Sequence, residues 1–398
     1  SPPPPSPPPP LTPVSVRSSC ASGAACNLID ALAALEDVNN DGADGTPFAL
    51  RLEAGAYSLG SATITLGPQT LASEVRLIGN GDVTIEGTSA SATMIRIQEG
   101  APPLTLEGVR LHGRMLVAAP RNGLAVDLVN VVFDGASTPQ GAPDGGALEL
   151  ASGVLRARNT TFANNFAEGS GGALTVEGGS ALLDGCTFRN NTALGDGGAL
   201  LLSGGDVRVS KSIFERNVAG GEGGAVQQSS GTMELHGCQF QGNVAAGQGG
   251  AIEQGGGTLL LAGQTVMTGN TATAASGIFA SGGVAKYALP APPAHWLLPK
   301  ECTTKLTALR SNDTCNATFD VGSGVDDFPY KCAPGLYSPN LDVRWQTSPS
   351  CGGLCPAGFV CPGATSQPLP TIPGYYAELG SAASLPCPPG SYSSATGL

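Results

Sequence analysis

Between residues 145 and 254 the apolar and polar positions of this chain keep a single beat. Gly145-Gly146-Ala147-Leu148 returns as Gly171-Gly172-Ala173-Leu174, Gly197-Gly198-Ala199-Leu200, Gly223-Gly224-Ala225-Val226 and Gly249-Gly250-Ala251-Ile252, each a 26-residue step from the last. Phe162, Phe188, Phe214 and Phe240 keep the same step, and each is followed three residues later by Asn165, Asn191, Asn217 or Asn243. The apolar segments between the Gly and Asn punctuation run four to eight residues, too short for helices and right for strands. In one repeat, Ala173-Leu174-Thr175-Val176 alternates, Gly178-Gly179 turns, and Ala181-Leu182-Leu183 starts a second strand. Gly185 then bends the chain into Cys186-Thr187-Phe188, and Arg189-Asn190-Asn191-Thr192 turns again. Three short strands and three corners describe one coil, so the repeat predicts an all-β, parallel β-helix whose equivalent residues stack about 4.8 Å apart.

That geometry assigns each column a role. Leu148, Leu174, Leu200, Val226 and Ile252 form an inward aliphatic stack, the phenylalanines an aromatic stack ending at Val266, and the asparagines an internal amide ladder at a corner where Asn tolerates a left-handed backbone. Thr160, Cys186, Ser212 and Cys238 share one inward column, with the two cysteines two coils apart, too far to bridge, so they read as small buried fillers. Upstream, Phe48-Ala49-Leu50-Arg51-Leu52, Val75-Arg76-Leu77-Ile78 and Leu104-Thr105-Leu106 continue the strand pattern with a blurred period. Before them, Leu28, Ile29, Leu32 and Leu35 fall at helical spacing after Asn27, a candidate N-cap, and predict a short helix covering the open end of the first coil.

Composition narrows the function. The chain has 398 residues with 58 Gly and 32 Pro but no G-X-Y period, which excludes collagen. A formal net charge of −12 without a Lys/Arg cluster argues against nucleic acid or an anionic membrane as partner, and no apolar run reaches the ~18 residues of a membrane span. Cys20 and Cys26 are positioned to staple the N-terminal cap. Cys302, Cys315, Cys332, Cys351, Cys355, Cys361 and Cys387 crowd a Pro/Gly/Ser-rich segment that has no core pattern, where disulfides are the usual substitute in secreted proteins. Their odd number leaves Cys387 awaiting a partner beyond Leu398; zinc on Cys351, Cys355 and Cys361 is the competing reading. Asn159, Asn190, Asn312 and Asn316 stand in N-x-[ST] sequons, which fits secretion.

The chain opens Ser-Pro-Pro-Pro-Pro twice, with Pro2, Pro3, Pro4, Pro5, Pro7, Pro8, Pro9 and Pro10 fixing a polyproline II arm. This motif resembles the extensin-type and pherophorin-type hydroxyproline-rich glycoproteins of plant and green-algal walls, and the resemblance implies hydroxylation and O-glycosylation of these prolines. The Ala54-Gly55-Ala56-Tyr57-Ser58-Leu59 strand and the Ile78-Gly79-Asn80 and Ile85-Glu86-Gly87 corners are similar to the pectin-lyase-like right-handed β-helix superfamily. The F-x-x-N and GGA-[LIV] repeats resemble those of chlamydial polymorphic outer-membrane proteins, whose β-helices serve adhesion. Near the C-terminus, Cys332-Ala333-Pro334-Gly335-Leu336-Tyr337, Cys355-Pro356-Ala357-Gly358-Phe359 and Cys387-Pro388-Pro389-Gly390-Ser391-Tyr392 resemble ephrin-receptor-like and TNF-receptor-like cysteine-rich modules.

Catalysis would need two or three carboxylates flanking a bond, or acids gathered for Ca²⁺ beside a base, on one outward face. The outward positions instead carry Arg156, Arg158, Asp184, Arg208, Lys211, Glu234 and His236, read as mixed and scattered. Asp144, Asp196 and Glu222, interleaved with Ser170 and Gln248, make a thin acidic edge. Asp37, Asn39 and Asp41 in Asp37-Val38-Asn39-Asn40-Asp41-Gly42 have the spacing that aims three oxygens at one Ca²⁺, although Phe48 stands where an EF-hand places its closing Glu. The expected organisation is a polyproline arm (1–13), a cap (14–47), a β-helix of about nine coils (48–285), a Pro-rich linker (286–301) and a cysteine-rich module (302–398). At about 4.8 Å per coil the rod would be about 40–45 Å long. The expected function is a non-enzymatic, extracellular structural glycoprotein, with other copies of itself and covalent glycans as partners. The alternatives are a polysaccharide lyase or hydrolase and a receptor-like or adhesin ectodomain.

Overall fold

A computed structural model describes residues 26–27, 47–70, 72–118, 125–138, 144–262, 265–288, 314–317, 332, 334–337, 353–363, 365–392 and 394–397. These residues are all-β, with no helix among them. Successive strands rarely pair with their chain neighbours; each pairs in parallel with its counterpart one coil away, which is the topology of a parallel β-solenoid. One sheet, of 18 strands, takes two strands from each regular coil, such as Ser180–Asp184 and Thr187–Arg189. A second sheet has nine strands, including Leu174–Val176, and a third has four, including Thr192–Ala193.

The second sheet measures the coils. Its column runs Ile64, Ile95, Met115, Leu148, Leu174, Leu200, Val226, Ile252 and Ile278, every member inward and buried. The first three steps, to Ile95, Met115 and Leu148, are all unequal, and the next five are equal 26-residue steps. Nine strands make eight steps of about 4.8 Å, close to 40 Å of rod; the 26-residue coil holds from Leu148 onward, and the blurred upstream period corresponds to the unequal steps.

The Gly-Gly pair has two separate causes. Its first members, at positions 145, 171, 197, 223 and 249, hold φ between 61° and 69°, which favours glycine. At the second members the next coil passes too close for a side chain: a Cβ on Gly172 would lie 2.2 Å from the Gly198 carbonyl oxygen, and one on Gly198 2.2 Å from that of Gly224.

Inside, Phe133, Phe162, Phe188, Phe214 and Phe240 stack nearly parallel with ring centroids 4.7–5.0 Å apart. Above Phe133 the column continues as Leu111, Ile85 and Tyr57. Below Phe240 it ends in Met267 and not in Val266, because this coil holds one extra residue; Asn270 likewise follows Asn243 by 27. The asparagines form the expected ladder. The Asn191 Oδ1 accepts both the backbone N–H (3.1 Å) and the Nδ2–H (2.9 Å) of Asn165, while the Asn191 Nδ2 donates to the Phe162 carbonyl (3.0 Å) and to the Asn217 Oδ1 (2.9 Å). The pattern repeats through Asn217, Asn243 and Asn270. The left-handed backbone expected of these residues belongs to their predecessors: Asn164, Asn190, Arg216, Gly242 and Gly269 have φ of 52–63°, and the ladder asparagines are free of it. Turning the preceding residue leaves the ladder amide aimed inward.

At the N-terminal end Cys26–Asn27 pairs in parallel with Tyr57 and Ser58, so Asn27 is extended, while the predicted helix lies outside the described residues. At the other end Thr314–Ala317 pairs antiparallel with Val284–Ala288 and covers the edge which that strand would otherwise expose. Within 355–397 the structure brings out a 16-residue repeat. Cys355, Thr371 and Cys387 each donate their N–H to the glycine of the preceding turn, Gly335, Gly358 and Gly374, at 2.9–3.0 Å. These turn glycines and Gly390 share φ of 84–90°.

Candidate functional site

The first sheet's second outward column runs Asp127, Arg156, Leu182, Arg208, Glu234, Leu260, one residue per coil, with Arg158, Asp184, Ser210 and His236 two places along. Strand alternation forces these side chains out while Leu155, Ala157, Ala181, Leu183, Val207 and Val209 fill the interior. Arg156, Arg158, Leu182, Asp184, Arg208 and Ser210 surround a shallow groove of about 210 Å³. The arginines that looked scattered along the chain are therefore gathered by the 26-residue step. Arg156 lies 3.8 Å from Asp127 and Arg208 2.6 Å from Glu234, whereas Arg158 has no ion-pair partner among the described residues. Exposed pairs of this kind contribute under about 1 kcal/mol each, so the guanidinium groups remain available to an anion.

A second cleft, about 300 Å³, is lined by Arg96, Gln98, Glu99, Leu116, Ala118 and Glu149 on the outer side of the second sheet. Burial, with help from Glu177, raises the Glu149 carboxyl above the usual carboxylate range, and Arg114 opposes the shift. Arg114 is itself buried. Its Nε donates to the Gly145 carbonyl (3.1 Å) and its guanidinium to the Asp144 carbonyl (3.0 Å), with Glu149 at 3.5 Å, so it ties the long third step to the first regular coil. Burial lowers its pKa, against the pull of Glu149.

Three side chains serve the backbone along one corner. The Asp144 carboxylate accepts the Ser170 N–H (2.7 Å), the Ser170 hydroxyl accepts the Asp196 N–H (3.0 Å), and the Asp196 carboxylate accepts the Glu222 N–H (2.8 Å). The thin acidic edge is thus a side-chain-to-backbone ladder. Glu253, which sequence reading passed over, is 1 % exposed in the second sheet. It accepts hydrogen bonds from the Gln227 Nε2 (3.1 Å) and the Ser281 hydroxyl (2.9 Å), and burial pushes its carboxyl up to about 7. So buried a group is shut off from any large substrate; its alternation in an otherwise ordinary strand gave no signal of this.

Of the sequons, Asn159 and Asn190 are exposed at corners, with φ of 49° and 53°. Asn316 lies in the antiparallel strand, and Asn312 is outside the described residues. So are Asp37, Asn39, Asp41, the arm prolines, Cys20, Cys302 and Cys351. Among the described residues no group of three or more His, Cys, Asp or Glu could hold a metal ion. Cys355 and Cys361 form a disulfide with each other, which removes the zinc reading for that pair, and Cys332 is disulfide-bonded too. Cys26 and Cys315 sit in the two end strands. Cys387, the cysteine left over by the odd count, has no disulfide partner among the described residues. In its 16-residue unit Ser393 occupies the place of Cys361, as Ala377 does in the unit between, where Thr371 replaces the first cysteine. Cys186 and Cys238 are free and buried, as their column required, and burial pushes both thiols up to about 11.

Residues 137–288 match the right handed beta helix region family model. The match covers the regular coils, where the Gly-Gly corners and the Phe and Asn columns lie, and leaves the irregular N-terminal coils and the cysteine-rich segment outside it. No curated protein and no solved structure matches the chain. No helix among the described residues is long and apolar enough to cross a membrane. The β-helix region gives the fold and leaves the activity to be argued from the surface.

Proposed function

We propose that this chain is a secreted structural glycoprotein, a building block of an extracellular fibre, wall or surface appendage that assembles through its β-helix and carries glycans on its sequons and proline arm. The observation that carries the reading is the uniformity of the coils from Leu148 to Ile278. Five successive steps keep one length and one register, so every outward column presents its residues about 4.8 Å apart on a stiff support. Such a surface suits repetitive packing, which needs no chemistry. Exposure of Asn159 and Asn190 at corners supports glycan attachment there. The extensin-like and pherophorin-like arm, the likeness to pectin-lyase-like and chlamydial passenger helices, and the ephrin-receptor-like cysteine pattern all lean towards an extracellular setting.

A second reading has one observation in its favour. The groove among Arg156, Arg158 and Arg208 suits an acidic glycan, as an adhesin or receptor-like ectodomain would use it. Electron microscopy of the protein purified from its native source, with glycans intact, tests the first reading. Regular filaments repeating the rod are expected; dispersed single rods at every concentration would overturn it and turn attention to glycan binding.

A further inference from the structure

The regular coils separate charge by face. Between residues 144 and 262 the chain has six basic residues, Arg156, Arg158, Arg189, Arg208, Lys211 and Arg216, and all lie in strands of the first sheet or at its corners. Only four acids share that face: Asp184, Asp206, Glu215 and Glu234. The other seven acids of this segment, Glu149 and Glu253 in the second sheet among them, lie on the remaining faces and corners with none of the segment's basic residues among them. Arg114, from the irregular coils, reaches Glu149 at the edge of this acidic side. A rod of overall net charge −12 thus carries, along its regular coils, one side that is formally positive by two and another that presents six acids and no base, Glu253 being buried.

The two sides also match in spacing. Arg156 and Arg208 stand two coils apart with Leu182, 38 % exposed, between them. Asp144 and Asp196 stand two coils apart on their corner with Ser170 between them. Both pairs are separated by two steps of about 4.8 Å, so Arg156 and Arg208 can face Asp144 and Asp196 of a parallel copy, with Glu234 opposite Glu222 one coil further on. We propose that copies of this protein pack side by side, the arginine-bearing first sheet of one copy against the acidic corners that flank the second sheet of the next, where Glu168, Glu177 and Glu222 are at least partly exposed. The contact is heterologous: in any pair one copy keeps its acidic face free and the other its positive face, so the packing continues into open arrays instead of closing as a dimer. The inference rests on the self-assembly reading above and adds which faces meet.

Two full-length variants separate the face assignment from self-assembly itself. Arg156→Glu/Arg158→Glu/Arg208→Glu reverses the first sheet, and Glu168→Lys/Glu177→Lys/Glu222→Lys nearly neutralises the acidic side. All six side chains are at least partly exposed, and circular dichroism verifies the fold. Sedimentation velocity of the wild-type chain should show species that grow with concentration at about 0.1 M salt and disperse at about 1 M, where the Debye length falls from about 10 Å to about 3 Å. Each variant alone should stay monomeric. An equal mixture should form 1:1 pairs and nothing larger, because only one of the two kinds of junction is restored. If both variants assemble as the wild type does, the face assignment is overturned while self-assembly stands. If the wild type stays monomeric at all salt and protein concentrations, both fall. If it sediments only after polygalacturonate is added, the arginine row takes an acidic polymer and the proposal is overturned.

Discussion

From Ile64 to Leu148 no two coil steps are equal, and the aromatic column passes through Tyr57, Ile85 and Leu111 before reaching its first phenylalanine, Phe133. From Leu148 to Ile278 every step is the same, and the column holds four phenylalanines from Phe162 to Phe240. Both regions bury the column and pair their strands in parallel, although the irregular coils carry register shifts, as between Ile78 and Val83. The solenoid therefore fixes where an apolar residue must stand and tolerates wide variation in the loops between strands. What the regular region adds is specificity: stacked rings and an amide ladder that accept only one register, where aliphatic columns accept several.

The largest effect that would sharpen this contrast should come from the ladder. Asn217→Ala removes the acceptor of both Asn191 amide groups and the donor to the Phe188 carbonyl, all buried, and should cost about 5 kcal/mol in chemical denaturation. Phe188→Ala, opening a gap in the ring stack, should cost about 4 kcal/mol, while Ile85→Val in the irregular coils should cost about 1 kcal/mol.

Glu253 adds a pH dependence to the regular coils. Its folded-state pKa of about 7 lies above the ordinary carboxylate value of 4.5, so the folded chain holds the extra proton between those values. Stability on this account is fully present below about 4.5, falls as the pH rises through 7, and is level above; the total is on the order of 3 kcal/mol. Denaturation midpoints measured from pH 4.5 to 8 should show this fall, and Glu253→Gln should flatten it. At the seam between the regions, Arg114→Met should cost about 2 kcal/mol by stranding the Gly145 and Asp144 carbonyls beside Glu149. Hydrogen exchange should rise on both sides of that seam; a rise confined to one side would mean that the coils are less coupled than the hydrogen bonds indicate.

The regular coils were legible in the sequence because period, glycine pair and Phe/Asn columns reported one geometry. Phe133 escaped because it stands three places beyond the 26-residue step before Phe162, and Met267 and Asn270 because one inserted residue moves them off the same count. The left-handed corner was misplaced by one residue, since Asn is common at both the turning and the ladder positions. The arginine groove hid for a different reason. Arg156 and Arg208 are far apart in the chain, and only the coil step brings them onto one column, two coils apart around the groove. Reading the columns of charged residues as closely as those of apolar ones would have found it.

The coil geometry has a mechanical consequence. Strands of a solenoid run across the rod, so its backbone hydrogen bonds point along the axis. Tension applied end to end loads those bonds one row at a time and peels coils singly, whereas force applied across the rod shears many rows together. Each 26-residue coil that peels would release on the order of 85–90 Å of extended chain in exchange for about 4.8 Å of rod. Rods packed by their sides would resist load crosswise and yield lengthwise in long, discrete extensions, which is the behaviour of a shock absorber.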